Sequence, residues 1–153
     1  MFKKNFIADY LSDIDLDKIV KTIERIEGQT SGELRLSIKR KRGYLEKDLS
    51  SRDIAIKEFF NLNMNETIDK TGVLFFILLD DRKFEIIADE GINKLISSEK
   101  WKEFTDEIIL HFSEKKYYEG ILNLLEKVGI ILIKEFPVKA GDKNELSNDV
   151  VIG

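Results

Sequence analysis

The side chains that could carry chemistry in this chain are almost all oxygen donors. Cysteine is absent and His111 is the single histidine. That excludes thiol nucleophiles, disulfides, iron–sulfur clusters and any metal site built on thiolates or several imidazoles. Two groups of oxygen-rich and charged residues stand out. The first comprises Glu33, Thr67, Asp69, Thr71 and the pair Asp89-Glu90; the second is the basic run Lys39-Arg40-Lys41-Arg42 with Ser50, Ser51, Asp80 and Asp81. Carboxylates with hydroxyl and carbonyl oxygens suit a hard cation, calcium or magnesium, and calcium takes six to eight such ligands at about 2.3–2.6 Å. No glycine-rich phosphate loop and no nucleophile elbow accompanies them.

Whether these residues meet depends on the elements between them. Leu16, Ile19, Val20, Ile23 and Ile26 recur at helical spacing, with Asp15 expected as the cap and Gly28 as the stop. Leu34, Leu36 and Ile38 alternate with polar residues, the period of a half-buried strand. A second helix is expected to carry Ala55, Ile56, Phe59, Phe60 and Leu62 on one face, capped by Ser50 or Ser51. The apolar run Val73–Leu79 reads as a strand covered on both faces, and Asp80-Asp81-Arg82-Lys83 turns it into a hairpin with Phe84–Ala88. Two helices follow, from about Glu99 and from Tyr117, the second closed by Pro137.

This order predicts an α/β fold, a three-layer α/β/α sandwich around a small mixed sheet. One domain is expected over residues 1–137, with a polar tail over 138–153. A strand–helix–strand unit favours a parallel pair with a right-handed crossover. The strand ends then sort the charges into two poles. Glu33, Thr67, Asp69, Thr71, Asp89 and Glu90 gather at one sheet edge as a divalent-cation site. The basic run and Asp80-Asp81 gather at the other, beyond the carboxyl ends of the parallel strands. Plainer roles compete: Asp80-Asp81 as turn residues, Asp89 as a helix cap, Glu33 and Arg35 facing water, His111 as structural, Trp101 as core.

The ordered segments resemble a known family. Thr30–Arg35, Phe59–Thr67, Gly72-Val73-Leu74, Asp81–Phe84, Asp89–Asn93, Trp101, Phe136-Pro137 and Asn144–Asp149 are similar to the successive motifs of the TPM domain in its short bacterial form. The resemblance implies an α/β/α sandwich, divalent metal binding with calcium foremost, and an acid phosphatase activity. Carried over by position, it points to Glu33, Thr67, Asp81, Asp89 and Glu90. Ser147 stands where the family has proline. In a metal-assisted phosphatase, Asp81 or Asp89 would serve as ligand or general base, with Arg35 or Arg82 neutralising phosphate charge. A non-catalytic protein-interaction module is the alternative.

Partners expected from the sequence are therefore a divalent cation, a phosphate ester or a protein. The balance of 25 basic and 29 acidic residues, net −4, speaks against nucleic acid. No apolar run approaches the roughly 20 residues of a spanning helix, and the basic start lacks a signal-like apolar stretch. No membrane partner and a cytoplasmic location are the expectations.

Overall fold

The computed structural model describes residues 5–138 and 150–153. Helix α1 (Asp13–Glu27) opens with a reciprocal cap: Ser12 Oγ accepts from the Asp15 N–H at 3.0 Å while the Ser12 N–H donates to Asp15 Oδ2 at 3.1 Å. Ser12, rather than Asp15, is the cap; Asp15 is its reciprocating partner three residues on. Strand β1 (Glu33–Lys39), helix α2 (Ser51–Asn61) and strand β2 (Gly72–Leu78) form the expected crossover. Strand β3 (Lys83–Ala88) returns antiparallel. The short α3 (Glu90–Asn93), α4 (Ser98–Ser113) and α5 (Tyr117–Glu135) complete the helices.

The sheet order is β3-β2-β1-β4, with β1 and β2 parallel. Its fourth strand, β4 (Val151–Ile152), lies parallel to β1 and comes from the stretch read as a polar tail. Two residues of β-branched chain are too short to register as a strand by periodicity. Motif residues 144–149, Ser147 among them, lie outside the described residues.

Two apolar layers flank the sheet. Leu34, Leu36, Ile38, Val73, Phe75 and Ile77 pack toward α1, α4 and α5; Leu74, Phe76 and Leu78 pack toward α2. Strand β2 is buried along its whole length, as its unbroken apolar run requires. Each fully buried side chain of this size contributes roughly 1.5–3 kcal/mol. On α2, Ile54, Ala55 and Phe59 face the sheet, whereas Ile56 and Phe60 are exposed. The expected stripe was therefore centred too far around the helix. The outer strand β3 is guarded by α2: Arg52 Nη1 donates to the Ile86 carbonyl at 3.1 Å, and Ser51 Oγ to Glu85 Oε2 at 2.6 Å. Such bonding blunts an otherwise open edge.

Candidate functional site

Strand register decides which acids meet. Glu33 is aligned with Gly72 and Val73 with Ala88, and the Asp89 N–H donates to the Gly72 carbonyl at 2.9 Å. Glu33, Gly72 and Asp89 thus form one row across three strands, at the rim where β1 and β2 begin. Strand alternation puts the row on the α2 face. Gly72 lets the Met64 main chain pack against the middle of this row. A Cβ there would lie 2.6 Å from the Met64 carbonyl oxygen.

The flanking turns close on this row. Thr67 Oγ1 accepts the Thr71 N–H at 3.0 Å, and Lys70 takes a positive φ of 56°. The Gly91 N–H donates to the Lys70 carbonyl at 2.8 Å. A Cβ on Gly91 would meet the Asp69 and Lys70 carbonyl oxygens at 2.1 and 2.5 Å, so only glycine allows this approach.

Asp89 has two different oxygens. Oδ1 accepts the Glu90 N–H at 2.8 Å and caps α3, the plainer role considered for it. Oδ2 is buried and has no hydrogen-bond partner among the described residues; Thr71 Oγ1 shares that condition. A buried acceptor without a donor costs about 1–3 kcal/mol.

A third acid enters from α1. Glu27 Oε2 accepts the Leu34 N–H at 2.6 Å on the side of β1 away from β2. Its carboxyl is pushed up to about 9, first by burial and then by its hydrogen bond and charge repulsion with Glu33. That shift favours the protonated form of Glu27 beside Glu33 at neutral pH. Glu33 and Arg35, weighed as water-facing, are 3% and 7% exposed. The polar face of β1 lies under α2, whose Glu58 accepts from the buried Ser37 hydroxyl at 2.5 Å.

Several sequence-predicted site residues stand apart. The Asp69 side chain is exposed and only its carbonyl joins the rim; Glu90 is exposed too. Thr67 is occupied in bracing the turn. Asp81 lies at the far end of the β2–β3 hairpin, bound by Arg42 Nε at 2.6 Å, and shares no site with Asp89. Among the described residues no three His, Asp or Glu side chains converge as an ion cage. The expected cluster of three or four carboxylates is therefore replaced by Glu33 and Asp89, with Glu27 of α1 against Glu33, and main-chain oxygens. His111 is half-buried on α4, its Nδ1 paired with the Glu107 carbonyl at 2.9 Å. Trp101 is half-buried and donates to Asn93 Oδ1 at 2.9 Å.

A mixed sheet sandwiched by helices, with an acid rim at the start of its parallel strands, defines the class of molecule. The TPM domain family model matches residues 5–130, and the chain belongs to that family. No curated protein matches the sequence. The chain is similar to the BA42 protein of the psychrophilic bacterium Bizionia argentinensis: 32% identity over 94% of this chain and 96% of that one, with a TM-score of 0.82. The N-terminal domain of a P. gingivalis protein shares the fold at 19% identity, covering 84% of this chain and 80% of that one, with a TM-score of 0.68. Among the described residues no helix is long and apolar enough to cross a membrane.

Proposed function

We propose that the Glu33–Gly72–Asp89 rim binds a divalent cation, calcium in preference to magnesium. The observation that carries this reading is the buried Asp89 Oδ2, which faces no donor among the described residues. The donors on this rim are all oxygen, carboxylate and carbonyl, the set a hard cation takes. Flexible coordination with several carbonyls favours the larger ion, whereas magnesium demands a near-ideal octahedron. Asp89 would be the principal ligand and Glu33 the second acid. The cation would supply the positive charge for these oxygens, and its arrival would release the Glu27 proton.

Hydrolysis has weaker support. Of the two acids expected to serve a phosphatase mechanism, Asp81 is committed to Arg42 at the other rim, which leaves Asp89. Amide NMR on chelator-treated protein tests the cation reading. Calcium at millimolar concentration should move the Glu33, Gly72, Asp89 and Glu90 signals, and Asp89→Asn should abolish the response. Unmoved signals in the wild-type protein would overturn it. Phosphate-ester turnover lost in Asp89→Asn would add catalysis to binding.

A further inference from the structure

The loop joining β1 to α2 holds two consecutive large apolar side chains in water: Tyr44 is 84% and Leu45 86% exposed. Scattered exposed apolar residues are ordinary, but an adjacent pair on a braced turn is not. The bracing is specific. Arg42 donates to Asp81 Oδ2 at 2.6 Å, to the Glu46 carbonyl at 3.0 Å and to the Leu49 carbonyl. Glu46, 4% exposed, accepts the Gly43 N–H at 2.7 Å and meets Lys57 and Lys39 at 3.3 and 3.8 Å. Lys47 Nζ stands 5.0 Å from the centre of the Tyr44 ring. Arg42 and Glu46 thus anchor the turn beneath its exposed apolar tip.

The charge around the tip is positive although the whole chain is acidic. Between Lys39 and Asp48 lie five basic residues and two acids, and one of those acids, Glu46, is buried in ion pairs. Arg40, Lys41 and Lys47 are exposed, against the exposed Asp48 and Asp80.

We propose that this loop is a peripheral docking element for anionic lipid surfaces. Tyr44 and Leu45 enter the interfacial layer, and Arg40, Lys41 and Lys47 meet lipid phosphates. The tip favours a fluid surface over an acidic protein groove: its two apolar side chains stand almost wholly in solvent beside exposed bases, and tyrosine suits the boundary between headgroups and acyl chains. The lack of a spanning segment, the basis for expecting no membrane partner, does not bear on peripheral contact. The loop leaves the carboxyl end of β1, about 20 Å along the strand from Glu33, so the inference stands apart from the cation rim.

Vesicle flotation of the full chain tests it, with phosphatidylcholine alone against phosphatidylcholine and phosphatidylglycerol in equal parts. The protein should float only with the anionic vesicles. Arg40→Gln/Lys41→Gln should lower the partition coefficient by about tenfold or more. Tyr44→Ser/Leu45→Ser, at positions that bury almost nothing, should lower it severalfold with the fold intact by circular dichroism. Absence of flotation with anionic vesicles overturns the proposal. So does flotation unchanged in the serine variant, which would mean adsorption by charge alone. Binding to soluble polyglutamate that depends on the same residues, without flotation, would assign the loop to an acidic protein partner instead.

Discussion

The two rims of the sheet bury acidic side chains in opposite ways. At the β1–α2 rim, burial works to raise the Glu46 carboxyl, yet the Gly43 N–H, Lys39 and Lys57 outweigh it and hold the group below the usual carboxylate range. Arg42 meets Asp81 and two carbonyls there. At the other rim Glu27 is driven up to about 9, with Glu33 against it. Asp89 Oδ2 and Thr71 Oγ1 find no donor among the described residues. Burial alone fixes neither outcome; the supply of donors does. A rim whose acids are fully paired is scaffold, whereas one that leaves a buried carboxylate oxygen without a donor among the described residues can take a proton or a cation there.

The largest expected effect comes from closing the acid rim sterically. Gly91→Ala sets a methyl against the Asp69 and Lys70 carbonyls, which are main-chain atoms and cannot swing aside. Destabilisation of about 3 kcal/mol or more is expected by urea denaturation, together with loss of the calcium response. A cost below about 1 kcal/mol would show that the Thr67–Thr71 turn packs loosely, and the contrast between the rims would weaken.

Removing the hub of the paired rim comes next. Arg42→Ala leaves two carbonyls and Asp81 short of a donor, with an expected loss of about 2–3 kcal/mol. Lysine should rescue little of it, because a point charge cannot reach three acceptors as the guanidinium fork does. Full rescue by Arg42→Lys would show that the site needs only charge.

Glu27→Gln probes the sign of the acid rim. The folded carboxyl titrates near 9 against an ordinary 4.5, so the folded state holds the proton more tightly between those values. The stability linked to this proton is complete below about pH 4.5 and is lost as pH rises toward 9. Wild-type stability should therefore decline across that window, and the glutamine variant should flatten the slope. At pH 8 the variant should be the more stable by about 1–2 kcal/mol, with coupling and relaxation discounting the full shift. A steeper decline in the variant would refute the protonated pair.

Much of this contrast could be read from the chain before any coordinates. The parallel crossover and the hairpin followed from apolar run lengths and turn residues, and they put Glu33 and Asp89 on one rim. Glu27 falls four residues after Ile23 on the buried stripe of α1, outside the oxygen-rich segments that mark the rim in sequence. A charged residue on an apolar stripe was the available signal. The burial of Arg35 and Ser37 was not legible, because alternation cannot tell solvent from a covering helix that carries its own Glu58. Asp69 and Thr67 were chosen by side-chain type, whereas the turn contributes main-chain oxygens, which sequence does not distinguish. Strand β4 is fixed by its pairing to Ser37 and Ile38, a contact made across the whole chain.

The smallest expected effect separates scaffold from ligand most sharply. Asp89→Asn keeps an oxygen to cap the Glu90 N–H and removes the charge of a carboxylate whose buried Oδ2 has no donor among the described residues. In chelator its stability should stay within about 1 kcal/mol of wild type, on the stabilising side, since a neutral amide is cheaper to bury than a carboxylate. Calcium in excess should raise the melting temperature of the wild-type protein and leave that of the variant unchanged, because a ligand stabilises only the state that binds it. A variant that is strongly destabilised in chelator would make Asp89 a structural cap like Ser12, and the two rims would then differ in pairing but not in purpose.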